Sequence, residues 1–189
     1  MQPPLQRGEQ LTRFGFFQKI FTFLIPVVLV WSGITQAAEV SLTPISDVSS
    51  VKAGDHIELN IHIDFADDGG ALGGGFDLVF DSSALTLAGL TDNAPGDPDF
   101  SRLPDERGGR LESWSYGAWQ GFPGKVLLGT VTFEVLPTIM SRTTIQLQET
   151  SGVGGPWVSL QDNVSLIQPD YGSVVVDSVI VFSDGFEVQ

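Results

Sequence analysis

The 189-residue chain contains no cysteine. Disulfides, thiol nucleophiles and Cys-ligated zinc are therefore excluded. Basic residues are scarce, with nine Lys+Arg against 23 Asp+Glu and a net charge of −14. A surface of that sign repels phosphate backbones and anionic lipid, so nucleic acid is a poor partner. Histidine occurs only as His56 and His62. On an extended strand six residues put them roughly 20 Å apart, too far to share an ion or a proton. His62 and Asp64 share a strand face, but no third ligand accompanies them. There is no Gly-x-Ser-x-Gly, and no serine stands beside a histidine in sequence, so nucleophilic catalysis has no visible apparatus. No stretch beyond the N-terminal region carries a sustained helical apolar period.

What is present begins with a leader. Arg7, Arg13 and Lys19 precede the apolar run "IFTFLIPVVLVW" (Ile20–Trp31), and "SGITQAA" follows. A basic segment, a short apolar core and small residues describe a secretory signal peptide. The run is 12 residues long, against roughly 20 needed to cross a bilayer, which disfavours a retained anchor. The expectation is residues 1–38 as signal peptide, cleavage after Ala37 or Ala38, and an extracellular product with no membrane attachment. Residues 39–182 would form one domain and 183–189 a short polar tail. Without Arg7, Arg13, Lys19 and Glu9, six basic residues face 22 acidic ones, a net charge of −16.

The mature chain reads in period 2. In "HIELNIHIDF", Ile57, Leu59, Ile61, Ile63 and Phe65 share one face, and His56, Glu58, Asn60, His62 and Asp64 the other. That is a half-buried antiparallel strand. Further strands are expected at Val40–Ile45 (an edge, because of Pro44), "FDLVFD", Leu85–Leu90, "RLESWSYGAW", Val126–Leu136, Thr143–Glu149, Pro156–Leu160 and Gly172–Phe182. Short strands punctuated by turn residues argue for an all-β antiparallel architecture, a sandwich or a jelly roll. "ADDGGALGGG" (Ala66–Gly75) reads as a loop. No helix follows its glycines, so the phosphate-holding helix start is missing. They would supply positive φ and close backbone approach at a sheet edge. Asp77, Val79 and Asp81 would point outward into solvent.

Taken in order, "VKAGDHIELNIHI", "FDLVFDSSALTLAGL", "GKVLLGTVTFEVL" and "YGSVVV" resemble the motifs of cohesin domains, over roughly Val40 to Val176. The resemblance implies a nine-stranded jelly roll related to several carbohydrate-binding modules. It also implies a non-catalytic attachment role, in which the partner is a dockerin-like protein module or an extracellular polysaccharide. In that family the partner docks on a flat sheet face that includes the strands matching "FDLVFD" and "RLESWSYGAW". Here the face would offer Asp77, Val79, Ser113 and Ser115, with Glu112 at its margin. Gly73 and Gly75 bring no side chain where cohesins often present polar contacts.

Several alternatives stay open. Trp114, Tyr116 and Trp119 of "WSYGAW" form either a solvent-facing platform for sugar rings or part of the core. Because Leu111 has the parity of Ser113 and Ser115, the aromatic face is the expected core side. "DFADDGG" (Asp64–Gly70) and "DNAPGDPD" (Asp92–Asp99) cluster oxygen ligands suited to calcium. Neither has EF-hand spacing, so solvated loops are expected and no cofactor is required. A matrix protein that only self-associates, and an acidic-site glycoside hydrolase with two carboxylates about 5–10 Å apart, complete the set.

Overall fold

The structure is a computed structural model that describes residues 37–93, 101–139, 141–150 and 152–179. The expected signal peptide up to residue 36, the expected C-terminal tail and most of the Asp92–Asp99 loop lie outside the described residues. Within them the chain forms β1 (Glu39–Pro44), β2 (His56–Asp64), β3 (Ala71–Val79), β4 (Leu85–Asp92), β5 (Asp105–Glu106) and β6 (Arg110–Phe122). There follow β7 (Val126–Val135), β8 (Arg142–Glu149), β9 (Trp157–Ser159), β10 (Leu166–Ile167), β11 (Asp170–Tyr171) and β12 (Ser173–Asp177). A one-turn 3-10 helix spans Ala66–Asp68.

These strands build a two-sheet sandwich. One sheet has the order β11-β1-β2-β7-β4, and the other runs β10-β9-β3-β6-β5, with β8 on β3 and β12 on β8. Period 2 in β2 does what its sequence dictates: Ile57, Leu59, Ile61, Ile63 and the following Phe65 are wholly buried. Each such side chain contributes about 1.5–3 kcal/mol by leaving water. Facing them from the second sheet are Phe76, Leu78, Leu111, Trp114, Tyr116, Leu147 and Trp157. Tilted aromatic pairs tie the core together, among them Phe65–Trp157 and Phe80–Phe133 at 4.8 Å and Phe76–Trp114 at 5.4 Å between ring centroids.

Three expectations about the elements are corrected. Among the described residues the count is twelve because three two-residue strands, β5, β10 and β11, have too few residues to show any period. β1 is not an edge where it begins, since Glu39 and Val40 pair in parallel with Asp170 and Tyr171 while β2 flanks the other side. The glycines are not a loop: β3 starts at Ala71, and Gly73, Gly74 and Gly75 pair with Gly117, Tyr116 and Ser115 of β6. None of the three has positive φ. They lie mid-sheet, where β9 and β8 flank β3 on its other side, and the requirement is space. A Cβ on Gly74 would stand 2.5 Å from the ring of Trp157.

Candidate binding face

The outer face of the sheet containing β3 and β6 is shaped by two irregularities in their pairing. Between Phe76↔Trp114 and Leu78↔Leu111, β3 has one residue, Asp77, where β6 has two, Glu112 and Ser113. Ser113 takes up the extra length at φ 59°. This bulge resets parity, so Leu111 and Trp114 both enter the core although they are three residues apart. A bulge also leaves backbone groups without ladder partners. Here the Ser113 N–H donates to Asp77 Oδ1 at 2.8 Å.

Asp77 is consequently not solvated. It is 1% exposed, and its second oxygen accepts from Arg110 Nη1 at 3.1 Å. With its amide oxygen turned toward the guanidinium, Gln148 accepts from the same arginine at 3.0 and 3.1 Å. A buried carboxylate needs such partners, and this one locks the bulge. Ser113 and Ser115 are also buried, contrary to the outward, open placement expected of them. Residues 152–154, between β8 and β9, lie against them. Val153 N–H donates to Ser113 Oγ at 3.2 Å, and a Cβ on Gly154 would sit 2.5 Å from Ser115 Cβ. Val79 alone of the four keeps partial exposure.

The face thus has three zones. Around Val79 it is open and polar, because Val79 pairs with Gln146 on one side and Arg110 on the other. Beside Val79 and Arg110 come Glu112, and then Asp105 of β5 opposite it. The middle, over Ser113 and Ser115, is covered by the glycine-bearing segment. The far zone is an apolar groove of about 330 Å³ lined by Leu72, Gly73, Gly117, Trp119, Pro156 and Val158, among others.

That groove arises from the second irregularity. Between Ala71↔Phe122 and Gly73↔Gly117, β3 has only Leu72, whereas β6 has Ala118, Trp119, Gln120 and Gly121. The excursion carries Trp119 to 78% exposure. The three-ring platform is accordingly not formed. Trp114 and Tyr116 are core residues at 0% and 2% exposure, stacked 6.2 Å apart, and only Trp119 faces solvent. The Tyr116 hydroxyl lies 3.1 Å from the Leu128 carbonyl and 3.2 Å from Asp92 Oδ1. Burial first, then the Asp92 charge, holds its pKa far above the ordinary phenol value. The sequence carries a signal that separates Trp119 from the other two rings: its strand parity is opposite to that of Trp114 and Tyr116, and Gly117 stands between them.

The remaining expected groups stay apart. His56 and His62 lie on the outer face of the other sheet; burial first, then Lys125, lowers the His62 pKa. Asp64, just ahead of the 3-10 turn, accepts from Ala66 N–H at 3.2 Å. Asp67 and Asp68 border an open cleft with Asp162, whose carboxylate is engaged by the Ser165 hydroxyl and by the Val164 and Ser165 N–H groups. Those hydrogen bonds, the Ser165 hydroxyl's first, lower the Asp162 pKa. Among the described residues no three His, Asp or Glu side chains group as a metal site would require.

No family model matches the sequence, and no curated protein matches it. Solved structures do. The chain is similar to the seventh ScaB type I cohesin of Pseudobacteroides cellulosolvens, at 15% identity and TM-score 0.58, covering 81% of this chain and 99% of that one. It is similar to the OlpA cohesin in a type I cohesin–dockerin complex from Clostridium thermocellum, at 14% identity and TM-score 0.57, covering 76% and 100%. The third ScaC cohesin of Acetivibrio cellulolyticus, solved with the ScaB dockerin, gives 17% identity and TM-score 0.54 over 74% and 99%. The sandwich described above is a cohesin-like fold.

Proposed function

We propose that this chain is an exported, non-catalytic attachment module whose partner is a calcium-loaded dockerin-like protein. The observation that carries this reading is the likeness to whole cohesin modules, several of them crystallised with dockerins. The open zone around Val79, Gln146, Arg110 and Glu112 supports it, because it is a flat sheet surface of mixed charge with no deep pocket. Protein partners favour such surfaces, whereas small substrates favour concave ones. Ser113 and Ser115 would act only as backing, held beneath residues 152–154, and Asp77 as the clamp that keeps the face flat. Export rests on the leader, and the secreted product would begin at Ala38 or Glu39, as mass spectrometry of culture medium would show.

Titration calorimetry of the full chain against calcium-loaded dockerin modules tests the reading. Binding should appear, vanish on chelation of the dockerin's calcium, and be lost in Val79→Arg with melting unchanged. Binding that survives Val79→Arg would move the contact off this face. No binding to any dockerin would leave the fold without its usual role.

A further inference from the structure

The apolar groove at the Trp119 end of the sheet is outside the zone assigned to a protein partner. We infer that it is a binding subsite for an uncharged pyranose ring of a glycan chain, with Trp119 as the stacking surface. A four-residue excursion of β6 against one residue of β3 is an extended bulge, and bulges commonly re-aim a side chain beside a functional site. What this one re-aims is the indole of Trp119, carried to 78% exposure while the other ring residues of the same strand stay buried. Removing so large an apolar surface from water is favourable, and the fold leaves this one outside.

Three observations choose the occupant. The groove lining has no charged side chain, in a chain of net charge −14, so neither an anionic glycan nor a charged peptide finds complementarity there. Ten residues line it, against roughly 20–30 per side in a stable protein interface, so it is too small to hold a second copy of the chain. Its volume of about 330 Å³ falls at the lower end of the range for small-ligand sites, about 300–1,000 Å³. A pyranose presents an apolar C–H face and a rim of hydroxyls. The face meets the indole and the Gly73–Gly117 floor, which no Cβ obstructs. The hydroxyls turn to the solvent at the open side.

This inference does not rest on dockerin binding, and its test contains no dockerin. The full chain is run in native gels cast with hydroxyethyl cellulose, with soluble mixed-linkage β-glucan, and with polygalacturonate. The expected result is retardation by at least one neutral glucan and none by the anionic polymer. Trp119→Ala should weaken retention at least tenfold with unchanged near-ultraviolet dichroism and melting, and Trp119→Tyr should restore part of it. Three results would overturn the inference: no retardation by either neutral glucan, equal retardation of Trp119→Ala, or loss of a dimer in Trp119→Ala on light scattering. The last would identify the groove as a self-association surface.

Discussion

At the scale of single residues, burial decides what each aromatic and carboxylate does. Trp114 is wholly buried and packs on Phe76 and Tyr116. Trp114→Ala should therefore cost about 3–5 kcal/mol, read as a lower urea midpoint, whereas Trp119→Ala should leave it nearly unmoved. The chain's two tyrosines, Tyr116 and Tyr171, give a second test. Burial, then Glu149, pushes Tyr171 up to about 12, and Tyr116 is raised further. Unfolded phenols titrate near 10. Between about pH 10 and 12 the unfolded chain releases protons that the native chain keeps, so this contribution to stability is complete below pH 10 and falls as pH rises through the window. Absorbance at the phenolate band should stay flat near pH 10 in the native protein and rise there in urea. A native rise at pH 10 would mean that at least one of the two rings is open to water.

At the scale of elements, the sequence was most legible where one period ran unbroken. β2 and β8 keep strict alternation and β7 keeps it from Gly129 onward, and the expected spans of all three agree with the observed ones to within a residue. Legibility failed where register, not period, carried the information. The bulge at Ser113 moves Leu111 to the aromatic side, and nothing in "RLESWSY" marks the extra residue. Asp77 looks like any outward aspartate until the unpaired N–H of Ser113 is placed beside it. Ser115 looks open until residues 152–154, distant in sequence, lie over it. The glycines of β3 misled for a related reason, since glycine signals turns more often than crowded strands. Their actual role has a measurable consequence. Gly74→Ala places a methyl against the Trp157 ring and 2.7 Å from its Cα, an overpacking that costs about 1–3 kcal/mol. Gly124→Ala meets nothing within 4 Å and should be near neutral. Equal denaturation midpoints for the two variants would show that β3 does not need its glycines.

For the molecule as a whole, the dominant electrostatic fact is the surplus of carboxylates. Four of the six basic residues after residue 38 are committed to single ion pairs: Arg102–Asp105, Arg107–Glu112, Arg110–Asp77 and Arg142–Asp177. Three of these pairs have well-exposed arginines, and such pairs contribute about 0–1 kcal/mol each. Their attraction cannot offset the repulsion among the remaining acids, which acts against the compact state. Screening should then stabilise the fold. The Debye length falls from about 30 Å at 0.01 M salt to about 8 Å at 0.15 M, which quenches long-range repulsion and leaves the short, buried Asp77–Arg110 contact largely intact. The urea midpoint should therefore rise on adding sodium chloride across that range. Calcium should do no more than magnesium at equal ionic strength, because in the acidic turns the carboxylates of Asp64 and Asp162 already accept from backbone and serine donors. A midpoint that falls with salt would assign the ion pairs a larger share of stability than their exposure allows. A rise specific to calcium, reversed by chelation, would place a bound ion in one of those turns and make the carboxylate surplus a reservoir of ligands rather than a source of strain.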